Sequence, residues 1–357
     1  MAERLPRHRT GDPELDQRIN DLLDAAGATT NRDQLFQIVV SAVGLAGDDV
    51  ERLDLKITNA ALRELRGAFR VFAPYRSVRK VTMFGSARTL PDDPLYAQAR
   101  EAAGLLAGAG WMVVTGAGPG IMAAGLEGAG RERSMGINIR LPFEQGANEF
   151  IAGDPKLVEM KYFFTRKLML LKESHGYLVL PGGFGTLDEA LELLTLMQTG
   201  KADPAPVVFL DAPGGTYWKA FERFMTEEVL ARGLASPDDR ALYCITDDAR
   251  EATAEVLGFY RNYHSRRVVG NHLVIRLLVA PTPVELAKLA AEFADICSGG
   301  TLEASGPLPA EVADDDLVAL PRIVLQFNRM SLGRLRQLIN RLNALPSVAP
   351  AGSVVAE

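Results

Sequence analysis

The sequence predicts an α/β fold with a doubly wound parallel sheet, an N-terminal helical segment and a small C-terminal α+β module. From Lys80 onward, short continuous apolar runs alternate with helical segments, which is the pattern of parallel strands buried on both faces. Three of these runs end in glycine-rich turns. In such sheets ligands bind at the carboxyl ends of the strands, so the turns mark the expected site.

The composition is that of an ordinary globular protein, with 47% hydrophobic and 24% charged residues among 357. A formal net charge of −6 argues against general affinity for nucleic acid or anionic membranes. Two cysteines and four scattered histidines have no metal-ligand spacing, so no metal is expected. The first residues lack the apolar stretch of a secretory signal, and no run is long enough to span a membrane. We therefore expect a cytoplasmic protein without a membrane partner.

The N-terminal segment, residues 1–75, is predicted to be helical. Apolar residues recur there at three- and four-residue steps, and Thr30 or Asn31 is a plausible cap for the second helix. The predicted helices are ELDQRINDLLDAA, DQLFQIVVSAVGLAG and ERLDLKITNAALRELRGAFRVF. We interpret this segment as a helical layer.

Residues 76–265 are predicted to form the α/β domain. Its predicted strands are VTMF, WMVVT, GINIRLP, GYLVLPGG, PVVFLD and ALYCIT. The predicted helices between and after them include LYAQAREAAGLLAGAG, one long helix over LVEMKYFFTRKLMLLKES, LDEALELLTLMQTG, TYWKAFERFMTEEVLA and a helix near 248–262.

Residues 266–346 are predicted to form a small α+β module with a strand–helix–strand–helix order. Its elements are HLVIRLLV, PTPVELAKLAAEFADIC, PRIVLQF and SLGRLRQLINRLNAL, with EVADDD as an acidic surface loop. Residues 347–357 are expected to be a frayed tail. The module is interpreted either as a regulatory or oligomerising domain or as a structural lid or dimer brace, and the sequence leaves both open.

The three glycine-rich turns favour a phosphorylated ligand. They are Gly85-Ser86-Ala87-Arg88, Gly116-Ala117-Gly118-Pro119-Gly120 and Gly182-Gly183-Phe184-Gly185-Thr186. Backbone N–H groups at such turns can bind phosphate where a helix starts. GAGPGI lacks the last glycine of the dinucleotide fingerprint and PGGFGT lacks the lysine of a P-loop, so a dinucleotide cofactor and triphosphate hydrolysis are disfavoured. No cofactor is expected.

Charged side chains near the third turn have two interpretations each. Thr186 and Glu189 have the spacing of a helix capping box, in which the glutamate only returns a hydrogen bond to the backbone. Alternatively the glutamate faces another part of a ligand whose phosphate lies on the glycine turn. In FFTRK, Arg166 and Lys167 lie among apolar residues on a helical wheel, so they either extend to solvent or face an anion in a cleft.

Together PGGFGTLDE, FFTRK, GAGPGIM and GINIRLPFEQGAN resemble the LOG family of cytokinin-activating phosphoribohydrolases, which is often labelled "lysine decarboxylase" in bacteria. The resemblance covers about Leu62 to Glu228 and continues more loosely to residue 263. It implies a Rossmann-like fold, a homodimer and hydrolysis of the N-glycosidic bond of nucleoside 5′-monophosphates. The products would be a free base and ribose 5-phosphate. Nothing around Lys167 suggests a pyridoxal enzyme.

The resemblance also implies roles for individual residues. Arg166 and Glu189 match the catalytic arginine and glutamate of the family. The implied substrate-binding residues are Gly85, Ser86, Gly118, Gly120, Asn148, Lys167, Gly182, Gly183, Gly185 and Thr186. One position departs from the pattern, because Ala123 follows GPGIM where many bacterial relatives have glutamate. That departure bears on specificity and rate.

The residues and the resemblance together lead to one main hypothesis and one alternative. The main hypothesis is hydrolysis of AMP or an N6-substituted AMP, in which Glu189 stabilises positive charge at the sugar and activates water. Arg166 would balance charge on the phosphate or the departing base. The alternative is a non-catalytic protein that binds a nucleotide or carries molybdenum cofactor, as related Rossmann-like proteins do.

Overall fold

The computed structural model describes residues 8–141 and 146–348. The chain divides into two compact units, residues 1–63 and 64–357. The first unit contains helices α1 (Pro13–Ala25) and α2 (Arg32–Gly44) and the start of α3 (Arg52–Phe72). Ile19, Leu23 and Phe36 form its small core. The three helices confirm the helical interpretation, and Asn31 occupies the N-cap position of α2.

The second unit contains a seven-stranded parallel sheet with the order β4-β3-β2-β1-β5-β6-β7. Its strands are β1 (Lys80–Phe84), β2 (Met112–Thr115), β3 (Ser134–Ile139), β4 (Leu157–Met160), β5 (Gly176–Val179), β6 (Val207–Leu210) and β7 (Cys244–Thr246). Its main helices are α4 (Pro94–Gly108), α5 (Ile121–Ala129), α6 (Phe163–Lys172), α7 (Phe184–Gln198), α8 (Tyr217–Phe224) and α9 (Ala249–Gly258).

Both faces of this sheet are covered, as the continuous apolar strands predicted. Val81 and Met83 of β1 pack with α4, α5 and α9 on one face. Met135 and Ile137 of β3 pack on the other face with α6, α7, α8 and the C-terminal end of α3, including Phe72. The doubly wound α/β fold is therefore confirmed.

The order of the strands reverses between β1 and β5. The chain proceeds outward from β1 through β4 and then returns to pair β5 with the other side of β1. At such a switch point the connections leave the sheet in opposite directions and open a crevice at the carboxyl ends of the strands. The turns after β1 and β5 therefore face a common space.

One predicted helix is wrong in its first part. LVEM, which was read as the start of a long helix, is the edge strand β4, paired with β3 from Leu157 to Met160. The helix α6 begins only at Phe163. The glutamate of α3, Glu64, accepts hydrogen bonds from Lys161 N at 2.9 Å and from Thr165 Oγ1 at 2.6 Å. A carboxylate from another element thus binds polar groups at the start of α6 and favours its N-terminus there.

The C-terminal module contains four antiparallel strands in the order β10-β11-β9-β8, where two were predicted. These are β8 (Tyr263–Val269), β9 (His272–Leu277), β10 (Cys297–Ser305) and β11 (Arg322–Phe327), with helices α10 (Pro283–Glu292), α11 (Pro309–Asp314) and α12 (Leu332–Asn343). The module contacts the α/β domain through α12, where Arg336 donates to the Ala205 carbonyl at 3.1 Å and pairs with Glu255.

The predicted acidic loop EVADDD is also wrong. Its first residues lie in α11, and Glu311 is fully buried between Arg276 at 2.7 Å and Arg322 at 2.8 Å. The two arginines come from β9 and β11, so the sheet itself supplies the charges that compensate the buried carboxylate. From residue 349 on, the predicted tail lies outside the described residues, as do residues 142–145 of the GINIRLPFEQGAN motif.

Candidate active site

A cavity of about 650 Å³ opens at the switch point, at the carboxyl ends of β1 and β5. It lies where the glycine-rich turns were expected to meet. Its lining combines apolar side chains with a few charged groups, as small-molecule sites do. The lining residues are Met83, Phe84, Gly85, Ser86, Ala87, Arg88, Gly116, Met122, Phe163, Arg166, Leu170, Gly183, Phe184, Gly185, Thr186, Leu187, Asp188 and Glu189.

The backbone of Ser86 joins the three glycine turns. Ser86 N donates to the Pro181 carbonyl at 3.2 Å, and the Ser86 carbonyl accepts from Ile121 N at 3.0 Å. The turn after β1 is thereby bonded to the turn after β5 and to the first residue of α5. The Ser86 hydroxyl accepts from Arg88 N at 3.1 Å, which is a local turn contact rather than a nucleophile's geometry.

Two of the glycines are required by close packing of these turns. Gly120 has a φ of +67°, and a Cβ there would lie 2.3 Å from the Ser86 carbonyl oxygen. A Cβ on Gly182 would lie 2.2 Å from Thr186 Oγ1. By contrast, a Cβ on Gly183 or Gly185 would meet no atom of another described segment within 4 Å. These two glycines leave the backbone open toward the cavity, where a ligand could approach it.

Helix α7 begins at the glycine turn itself, with Gly183 as its N-cap. The first intrahelical bond runs from Leu187 N to the Gly183 carbonyl at 3.1 Å. The N–H groups of Phe184, Gly185 and Thr186 precede that bond and carry the positive end of the helix dipole at the cavity. Because Thr186 is the third helical residue and not the cap, the capping-box interpretation of Thr186 and Glu189 is wrong.

Glu189 is buried, and one of its two carboxylate oxygens lacks a hydrogen-bond partner among the described residues. The residue is 8% exposed, and the oxygen in question is Oε2. Burial raises the pKa of Glu189 to about 7, while the positive charges of Lys167 and Arg166 act in the opposite direction. A carboxylate near half-ionisation in a cavity can bind or release a proton at neutral pH.

Arg166 enters the cavity from α6. Its Nε donates to the Ile137 carbonyl at 2.9 Å, at the end of β3. The glycine at 116 makes room for this guanidinium, because a Cβ there would lie 2.0 Å from Arg166 Nη2. The end of β3, the second glycine turn and α6 therefore fix the arginine together.

Lys167 does not line the cavity, although it was expected to face the ligand. Its Nζ lies 2.5 Å from Asp188 Oδ2, 2.7 Å from Glu192 Oε2 and 3.9 Å from Glu189 Oε2. Burial alone would lower the pKa of Lys167, but the hydrogen bonds that its ammonium donates to Asp188 and Glu192 raise it. A Schiff base forms from a neutral amine, so this protonated lysine does not suit that chemistry.

The structure brings only part of the predicted site together. The cavity lining includes Gly85, Ser86, Arg166, Gly183, Gly185, Thr186 and Glu189. Gly118, Gly120, Asn148 and Gly182 lie outside the lining and support the turns. Asn148 Nδ2, for example, donates to the Gly118 carbonyl at 2.8 Å, and its backbone N donates to the Ala117 carbonyl.

Sequence reasoning missed other residues of the cavity. Arg88 follows the first glycine turn within GSAR, and its exposed side chain lines the cavity. The turn itself was the signal that could have found it, because a basic residue beside a phosphate-type turn is an anion ligand by its chemistry. Phe163 and Phe184, which are exposed lining residues, had no signal in the sequence that separates them from core positions.

Comparisons with known proteins find similar sequences for part of the α/β domain. A family model described as "Possible lysine decarboxylase" matches residues 119–256. A probable cytokinin riboside 5′-monophosphate phosphoribohydrolase of Oryza sativa subsp. japonica, LOGL3, is 32% identical over 105 residues. The cytokinin riboside 5′-monophosphate phosphoribohydrolase LOG3 of Arabidopsis thaliana is 34% identical over 101 residues.

Residues 119–256 of the α/β domain resemble the LOG family, as the family model and the two LOG proteins indicate. The matched segment is 29% of this chain and 47% of the rice protein, and 28% and 45% for the Arabidopsis protein. The chain thus spans about half the length of the curated LOG proteins that it matches. The C-terminal module lies outside the matched residues 119–256.

Solved structures similar to part of this chain include two molybdenum cofactor proteins. The carrier protein of Chlamydomonas reinhardtii is 20% identical and covers 50% of this chain and 96% of its own, with a TM-score of 0.35. The binding protein of Rippkaea orientalis is 19% identical and covers 50% and 94%, with a TM-score of 0.34. Likeness at this level carries no argument about the ligand. In the part of the chain that the structure describes, no helix is long and apolar enough to cross a membrane.

Proposed function

We propose that the cavity hydrolyses the N-glycosidic bond of a nucleoside 5′-monophosphate, AMP or an N6-substituted AMP, to the free base and ribose 5-phosphate. One observation carries the proposal. The buried Glu189, whose Oε2 has no hydrogen-bond partner in the described part of the chain, shares the cavity with the open N-terminus of α7. A phosphate on that N-terminus would lie about 7–8 Å along the helix from Glu189, given a rise of about 1.5 Å per residue.

The start of α7 and the positive charge of Arg88 support the proposal that the cavity binds the phosphate. Three N–H groups at a helix start offer hydrogen bonds and a favourable dipole to an anion. Since Gly183 and Gly185 leave open space in front of the backbone, a phosphate oxygen can reach these groups. The binding free energy of the phosphate at the start of α7 would hold the sugar in a fixed orientation next to Glu189.

Glu189 and Arg166 support the proposal that the bond is cleaved in this cavity. As the C1′–N bond breaks, its electron pair goes to the base and positive charge develops on the sugar. The ionised carboxylate of Glu189 would stabilise that charge and accept the proton of the water that adds to C1′. The departing base takes a proton from solvent or from the site. Arg166, whose guanidinium enters the cavity, would balance negative charge on the phosphate or base.

The test is release of free base from AMP and isopentenyl-AMP by the purified protein, measured by liquid chromatography. We expect turnover by the wild-type protein and a loss of at least about 100-fold in Glu189→Gln, the scale of a positioned proton-transfer group. Glu227→Gln, an exposed glutamate outside the cavity lining, is the matched control and should retain turnover.

Adenosine serves as the control substrate, because it lacks the phosphate that α7 would bind. The proposal requires that AMP be cleaved much faster than adenosine. Tight binding of AMP with no release of base would contradict it and favour a carrier of nucleotides or of a larger phosphorylated cofactor. The predicted homodimer and base preference stay predictions.

A further inference from the structure

Lys167 is held on α6 by carboxylates of the next helix. It is 12% exposed and contacts Asp188 at 2.5 Å and Glu192 at 2.7 Å. The same ammonium lies 3.9 Å from Glu189 Oε2, which is too long for a hydrogen bond but close enough for a strong charge interaction. Two carboxylates therefore hold the lysine in place, and the third, that of Glu189, interacts with its positive charge.

The positions of these carboxylates follow from the helix. Asp188 precedes Glu189 and Glu192 lies three residues after it, so the three side chains lie on one side of α7 facing Lys167. The exposed fractions differ, at 65% for Asp188, 44% for Glu192 and 10% for Glu189. Water reaches the two anchors but hardly reaches Glu189.

We propose that Lys167, anchored by Asp188 and Glu192, is a positioning residue that sets how far Glu189 is ionised at neutral pH. Its charge favours the carboxylate form of Glu189, against the burial that disfavours it. The anchors limit this effect, since they share the same positive charge and add negative charge of their own.

The other charged groups around Glu189 do not replace this arrangement. Arg166 on α6 faces Glu189 from the cavity side, and Arg88 lines the same cavity from the turn after β1. Lys167 is not among the lining residues of the cavity. In this proposal it acts on Glu189 through its charge, across the 3.9 Å that separates Nζ from Oε2. The consequence for turnover depends on the proposed hydrolase function, whereas the effect on the ionisation of Glu189 does not.

The inference is tested by titrating Glu189 directly, without substrate. In protein labelled with ¹³C at glutamate side-chain carboxyls, the Glu189 signal is assigned by its disappearance in Glu189→Gln. We expect Lys167→Met to raise the midpoint by roughly one pH unit or more, the scale of a removed opposite charge nearby. Asp188→Asn and Glu192→Gln should lower it, because each removes a negative charge and frees the lysine.

The opposite signs separate this role from a structural one, which would move all three variants alike. Lys167→Arg should keep the midpoint near the wild-type value, and Lys172→Met, an exposed lysine of α6 that pairs with Glu173, is the matched control. An unmoved midpoint in Lys167→Met, or a rise in Glu192→Gln, overturns the inference. If Lys167→Met fails to fold, Lys167→Gln replaces it, with the same rise in the midpoint expected and an unmoved midpoint overturning the inference.

Turnover measurements keep this inference apart from the proposed function. If the protein cleaves nucleotides, the acid limb of kcat/KM should move with the titration midpoint of each variant. Shifted midpoints without any nucleotide cleavage would support the role of Lys167 and contradict the hydrolase. Cleavage whose acid limb ignores the Lys167 variants would contradict the inference and leave the hydrolase standing.

Discussion

Replacing Glu189 by glutamine should make the protein more stable at high pH and leave its stability at low pH nearly unchanged. Burial raises the pKa of Glu189 to about 7 from an ordinary value of 4.5. A difference of about 2.5 corresponds to about 3 kcal/mol of unfolding free energy. Below pH 4.5 both the folded and the unfolded chain bind the proton, so the wild type has no penalty there.

Between pH 4.5 and 7 the unfolded chain releases that proton while the folded chain keeps it. The wild-type free energy of unfolding therefore falls as pH rises, and above pH 7 the full penalty is present. Glutamine does not titrate, so the advantage of Glu189→Gln should grow to about 3 kcal/mol by pH 8.5. His175, whose pKa burial lowers to about 4, changes stability equally in both proteins and cancels from the difference.

The assay is urea unfolding followed by tryptophan fluorescence at pH 4, 6 and 8.5. The chain has two tryptophans, and both Trp111 and Trp218 are buried in the second unit, so the signal reports on the unit that contains the cavity. Glu303→Gln, an exposed glutamate of the C-terminal module, controls for the loss of one negative charge. A difference between Glu189→Gln and wild type that stays constant or shrinks with pH would refute the reasoning.

Three further substitutions test the surroundings of the cavity. Arg88→Gln should raise KM for AMP about tenfold, because it removes a charge-assisted contact to phosphate, while Arg223→Gln, at an exposed position of α8, should not. Steady-state kinetics would show equal KM values if Arg88 makes no such contact. Gly116→Ala should lower kcat rather than stability. The new Cβ would lie 2.0 Å from Arg166 Nη2 and displace the guanidinium at the end of that side chain. A kcat equal to that of the wild type would mean that turnover does not require Arg166 in its present position. Glu64→Ala should lower the unfolding free energy by about 1–2 kcal/mol by removing the carboxylate at the start of α6, and an unchanged urea midpoint would contradict that role.

The parallel sheet was predictable because its strands are short and apolar throughout. Val81 and Met83 must be buried on one face while their neighbours are buried on the other, and few other folds need such runs. The glycine turns were equally readable, because they follow those strands directly. LVEM was misread because a four-residue segment is too short to show a periodicity of its own, and it adjoined a helical segment.

In the C-terminal module, contacts between residues distant in sequence determine one strand and one buried charge that the local sequence pattern did not predict. The edge strand β10 is rich in glycine and largely exposed, so only its pairing with β11 makes it a strand. Glu311 looked like part of a solvated acidic loop, yet arginines of two strands hold it buried. Its residue type alone predicted that Glu311 would be exposed. The positive charges of the two arginines instead allow it to be buried.

The sequence by itself marked Arg166 and Glu189, near glycine turns, as candidates, because residue types and spacing are local properties; it left open whether Glu189 caps a helix and whether Arg166 extends to solvent. Only the tertiary structure decided how they are used. It starts α7 at Gly183, which frees Glu189 from a capping role, and it turns Lys167 away from the cavity toward the acids of α7. Burial and the approach of charges from separate elements set the ionisation of a side chain, and neither is encoded within a short motif.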